Sequence, residues 1–149
     1  MFESTGILHY ETLVGDADPL YKWKVFLEVD SGISEYYRAL LPKWIKTNRQ
    51  FYAPHISVVR KEQPLKMENW GKHEGEEVAF SYSNIIHFGQ TYYWLEAYSS
   101  RLIEIRQGLG LYGSNKYSKP PDGKECFHIT IANVKNVPWN EVEALMYQR

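Results

Sequence analysis

The sequence predicts an α+β fold built as one domain over residues 1–149. Three observations lead there. Segments that alternate apolar and polar residues are interspersed with segments of helical spacing. A length of 149 residues suits a single hydrophobic core. No linker rich in Pro, Gly or Ser divides the chain.

The elements follow in order. Gly6 to Val14 reads as a strand, and Gly15 to Pro19 as a loop by its turn chemistry. Tyr21 to Asp30 (YKWKVFLEVD) is a strand, with Tyr21, Trp23, Val25, Leu27 and Val29 on one face and Lys22, Lys24 and Glu28 on the other. A helix capped by Ser31 or Ser34 follows. Its apolar stripe is Ile33, Tyr36, Tyr37, Leu40 and Leu41, and Pro42 ends or kinks it. Phe51 to Arg60 is a strand, and Lys61 to Glu77 a polar stretch with a short helical turn.

Val78–Tyr82, Asn84–Gln90 and Thr91–Tyr98 are three further strands. Ser99 or Ser100 caps a helix that ends at Gly108. Leu111 to Glu125 is a loop able to act as a lid, Cys126 to Val134 is a strand, and Pro138 starts a helix through Asn140 to Tyr147. The two halves rhyme. Each has a helix, a connection, and then a strand carrying His-Ile-Ser or His-Ile-Thr.

Apolar residues at 44% and charged residues at 23% are ordinary globular usage, so extensive disorder is not expected. The net charge of -1 gives no global basic field for a long nucleic acid, though a local basic cleft for a small anion is compatible with it. The one cysteine, Cys126, cannot form an intrachain disulfide. Met1 to Tyr10 lacks the basic start and apolar run of a secretory signal, and no stretch reaches the ~20 apolar residues of a membrane helix. The expectation is a cytoplasmic protein with no membrane partner, monomeric or a small homo-oligomer. Aromatics reach 15%, with twelve Tyr and five Trp, enough for a core and also for base stacking.

The chemistry lies in two motifs, Pro54-His55-Ile56-Ser57-Val58-Val59 and Phe127-His128-Ile129-Thr130-Ile131-Ala132. In a strand, residues two apart share a face. His55 and Ser57 therefore project together, as do His128 and Thr130, each pair roughly 6–7 Å apart along its strand. A lone His-x-Ser is common in strands. Two matches among five histidines arise by chance less than about one time in ten.

The pairing suits phosphoryl transfer. A phosphodiester needs a base for the attacking oxygen and an acid for the leaving oxygen, and two imidazoles can divide those roles. The hydroxyls of Ser57 and Thr130 can donate to the non-bridging oxygens where charge builds. With ordinary histidine pKa values the rate would be bell-shaped around neutrality.

The paired H-x-S/T motifs resemble the two-histidine (2H) phosphoesterase superfamily, which includes RNA 2′,3′-cyclic phosphodiesterases. The run from YKWKVFLEVD through YYRALLPKW to APHISVVRKE is similar in particular to phage anti-CBASS nucleases, which destroy the cyclic oligonucleotide messengers of bacterial anti-phage signalling. The resemblance implies a bilobal fold, two pseudo-symmetric sheet lobes with flanking helices around a central cleft. It implies a catalytic tetrad of His55, Ser57, His128 and Thr130, with Ser57 where the family commonly has Thr. It also implies an aromatic from the early strand near the substrate, for which Tyr21 and Trp23 both qualify.

Arg60 and Lys135 follow the two motifs and suit a phosphate contact or a solvated strand end. Cys126 lies on the face of His128 by alternation and reads as small buried packing rather than a nucleophile. Trp70, Trp94 and Trp139 fit either core or base platforms. His9, His73 and His87 have no hydroxyl two residues on, and no metal-ligand spacing occurs, so neither a metal nor a cofactor is expected. Gly108, Gly110 and Gly113 do not make a phosphate-cradling loop. Three functions compete: cleavage of cyclic di- or trinucleotides, processing of RNA 2′,3′-cyclic ends, and non-catalytic nucleotide sequestration.

Overall fold

A computed structural model describes residues 1–15, 18–50, 52–89, 91–114 and 125–135. The helix expected after Pro138, Trp139, and most of the Leu111–Glu125 loop lie outside the described residues. The elements are β1 (Phe2–Thr12), β2 (Trp23–Glu28), α1 (Ser31–Ala39), β3 (His55–Val59), β4 (Glu77–Gly89), β5 (Tyr92–Tyr98), α2 (Ser100–Gly108) and β6 (Phe127–Asn133). Over the described residues this is an α+β chain with one six-stranded antiparallel sheet and two α-helices. The strands run in the order β1-β2-β3-β6-β5-β4, and β4 closes back onto β1.

Alternation decides what the sheet buries. Leu8, Val25, Leu27, Ile56, Val58, Leu95, Ala97, Ile129 and Ile131 are all buried. They form one cluster with Ile33 and Tyr37 of α1 and Leu102 and Ile105 of α2. Burying each large aliphatic side chain contributes about 1.5–3 kcal/mol. Gly6 lets β1 approach β2 closely, because a Cβ there would meet Leu27 Cγ at 2.8 Å.

Several sequence expectations are corrected. Tyr21 and Lys22 belong to a 3-10 turn over Pro19–Lys22, so β2 starts at Trp23. Asp30, and neither Ser31 nor Ser34, caps α1, accepting from the Gly32 N–H at 2.7 Å. Its carboxylate reaches the first turn from just outside the helix. Tyr36 and Leu40 are exposed, since α1 is too short to bury more than Ile33 and Tyr37. Helix α1 ends at Ala39 with Leu40 as cap, before Pro42 is reached. The two strands expected over 78–82 and from Asn84 onward are one strand, β4, which runs to Gly89 and whose register shifts between Tyr82 and Ile86. Ser83 absorbs that irregularity by accepting from the Ile85 N–H. Ser99 caps α2 and also donates to the Ala79 carbonyl at 2.9 Å. A Schellman turn closes α2: Gly110 takes a φ of 80°, and Leu111 N–H donates to the Arg106 carbonyl.

Candidate active site

The two motif strands are neighbours. Their one paired position is Ile56 with Ile129, antiparallel. That register sets His55 opposite Thr130 and Ser57 opposite His128. Opposed residues have Cβ atoms about 4.5–5.5 Å apart, and the two histidines lie on the diagonal at roughly 7–8 Å. The tetrad is thus a two-by-two block in which each imidazole has a hydroxyl on either side. Pairing on the outer flanks extends it into two rows. One is Phe26, Ser57, His128 and Glu96; the other is Glu28, His55, Thr130 and Trp94.

A cavity of about 710 Å³ opens on this face. His55, Ser57, His128 and Thr130 line it, as do Tyr21, Trp23, Arg60 and Lys135. All eight residues singled out in the sequence therefore meet at one place. Sequence reasoning missed Lys24, Gln50, Tyr52, Lys61 and Tyr92, and it left Trp94 open. Lys24 was expected on the face away from Trp23. The register of β2 against β3 shifts between Val25 and Phe26, and both Trp23 and Lys24 reach the cavity. Strict alternation gives no signal of such a bulge.

Among the described lining residues there are four cations, Lys24, Arg60, Lys61 and Lys135, and no carboxylate. Three of them stand over aromatic rings. Lys24 lies 5.5 Å from the Tyr52 centroid, Lys61 5.4 Å from Tyr21, and Lys135 5.1 Å from Tyr92. A chain of net charge -1 thus concentrates positive charge in one hollow. Electrostatically, the cavity suits an anion.

His55 Nδ1 lies 2.9 Å from the Ala53 carbonyl. A carbonyl only accepts, so Nδ1 carries the proton and Nε2 is the nitrogen that exchanges. Burial lowers the pKa of His55, the Ala53 carbonyl partly offsets this, and Lys24 and Arg60 lower it further. Burial holds His128 lower still, at about 4, with the charges of His55 and Arg60 adding to the effect. The mutual repulsion means that the pair resists holding two protons at once. Phe26 packs edge-on against His55 at 5.8 Å, and Trp94 edge-on against His128 at 6.0 Å.

Comparison with protein-family models, curated proteins and solved structures finds no significant match.

The other three histidines are engaged with carboxylates. His9 contacts Glu28 and Glu74, His73 contacts Glu76, and His87 contacts Glu96 at 3.1 Å. Glu96 also accepts from the Tyr98 hydroxyl. His87 stacks on Trp94 at 4.5 Å and backs that wall of the cavity. Trp70 packs between Tyr10 and Trp23, and Cys126 is buried. Among the described residues, no group of three or more His, Cys, Asp or Glu could hold a metal ion. Nor is any helix there long and apolar enough to cross a membrane.

Proposed function

We propose that this chain is a phosphodiesterase that hydrolyses the 3′-5′ bonds of cyclic di- or trinucleotide messengers, as in the phage proteins that counter CBASS signalling. One observation carries the reading. Two histidines, each flanked by hydroxyls, sit in a cavity whose described lining holds four cations and no carboxylate. A volume of about 710 Å³ suits a compact ligand, and the lysine-topped rings suit one with bases as well as phosphates.

The attacking oxygen, from water or a ribose 2′-hydroxyl, loses its proton to His128. Its new bond to phosphorus forms as the bond to the leaving ribose oxygen breaks. His55 then donates its Nε2 proton to that oxygen. This division follows from protonation: His128 is the harder to protonate, so the working pair keeps its single proton on His55. Ser57 and Thr130 donate to the non-bridging oxygens. Both proton transfers are supplied by imidazole, so no metal is needed. A two-lobe arrangement of the 2H kind also fits. Strands β1-β2-β3 carry one motif and β6-β5-β4 carry the other; the two sets adjoin at the motif strands through one paired position and at β1 and β4 through six.

The test is incubation with cyclic dinucleotides, cyclic trinucleotides and 2′,3′-cyclic mononucleotides in excess EDTA, followed by separation of products. Linear products from the cyclic oligonucleotides are expected. Cleavage of 2′,3′-cyclic ends alone would replace this with an RNA-end activity. Binding without turnover would leave sequestration. Activity lost on chelation and recovered with zinc would replace the two-histidine mechanism.

A further inference from the structure

The geometry points to Lys61 as a phosphate-binding cation at the cavity rim, set in place by a clip between Arg106 and Glu62. It deepens the reading of the cavity as an anion site and rests on it. Among the described residues, Lys61 is the only non-glycine with a positive φ, at 54°. It lines the same cavity as the tetrad.

The cause of that backbone conformation lies one layer below. Arg106 of α2 is only 1% exposed. Its Nη1 donates to the Val58 carbonyl at 2.7 Å and to Glu62 Oε1 at 2.8 Å. Nη2 donates to Glu62 Oε2 at 2.9 Å and to the Tyr112 carbonyl at 3.3 Å, and Nε donates to Gly113 at 2.7 Å. All five N–H groups of the guanidinium are used.

One guanidinium therefore grips both ends of the short span from Val58 to Glu62. An extended span would carry Glu62 away by about 3.3 Å per residue. The chain must instead double back, and it does so at Lys61. Glycine would fill that left-handed position without strain. What lysine adds is its ammonium, and strained backbone of this kind concentrates at functional sites. The ammonium lies 3.7 Å from Asp18, a half-exposed pair, and 5.4 Å from the Tyr21 ring. Exposed pairs of that sort are weak, so an incoming phosphate can take the ammonium over. Arg106 and Glu62 touch no ligand; they act as positioning residues for Lys61.

The test titrates the full chain with inorganic pyrophosphate in EDTA, reading tryptophan fluorescence, and measures Tm for each variant. Lys61→Ala should raise the pyrophosphate Kd at least ~5-fold, and Lys61→Arg should restore it. Lys61→Gly should lose the same affinity yet melt above Lys61→Ala, because alanine is strained where glycine is not. Glu62→Gln should raise Kd severalfold although every cation of the cavity is kept. Three results would overturn the inference: no pyrophosphate binding by the unaltered chain, unchanged affinity in Lys61→Ala or Glu62→Gln, or a glycine variant that melts no higher than the alanine one. Pyrophosphate binding through Lys61 in a chain that cleaves nothing would remove the phosphodiesterase reading and leave this one. Full turnover with unchanged affinity in Lys61→Ala would do the reverse.

Discussion

At the scale of the residue, burial changes what the two motifs imply. From sequence, both histidines would titrate near their ordinary value and give a neutral optimum. In the folded chain both pKa values fall below 6.5, that of His128 to about 4. A base must start neutral and an acid protonated, so for the free protein the working state lies between two acidic values. The optimum of kcat/KM should sit on the acid side of 6.5. A bound phosphodiester anion stabilises the imidazolium, so the kcat optimum should lie at higher pH than that of kcat/KM. A kcat/KM that climbs steadily through pH 7 to 10 would mean that no histidine acid is at work. His55→Ala and His128→Ala should each lower kcat by at least ~10², with binding largely kept. Near-full turnover in either variant would remove it from the mechanism.

At the scale of the element, the sequence was readable where a local rule decides. Alternation placed His55 with Ser57 and His128 with Thr130, and it found the buried stripes of β2, β3 and β6. It did not find the continuity of β4 across its register shift, because an irregular pair looks like two short strands. Lys24 and Lys61 escaped for a related reason: one lies beside a bulge, and the other depends on an arginine 45 residues further along the chain. The contact of β1 with β4 joins strands remote in sequence, and periodicity carries no record of which strands meet. Helix α2 offers a test at this scale. Ser99 caps it and ties it to β4 through the Ala79 carbonyl. Ser99→Ala should cost about 1–2 kcal/mol, seen as a lower urea midpoint with unchanged m-value. A loss within error would mean that neighbouring groups satisfy both partners.

At the scale of the whole molecule, the same buried histidines couple the site to stability. A histidine whose folded pKa is depressed binds its proton more readily when the chain is unfolded. Stability is then complete above the unfolded value of 6.5 and is lost as pH falls toward the folded value of about 4. His128 alone should account for roughly 3 kcal/mol over that window. Urea midpoints at pH 7 and pH 4.5 check this, and His128→Gln should flatten the difference. The strand order has its own consequence during synthesis. Strand β6 leaves the ribosome after every other described strand, yet its place is between β3 and β5. Until it arrives, the nascent chain exposes two unpaired strand edges and carries one motif without its partner. The insertion that covers those edges also brings His128 beside Ser57. A chain stalled short of β6 is therefore adhesive and holds only half of the proposed tetrad, and the site is completed at the step that ends its vulnerability to aggregation.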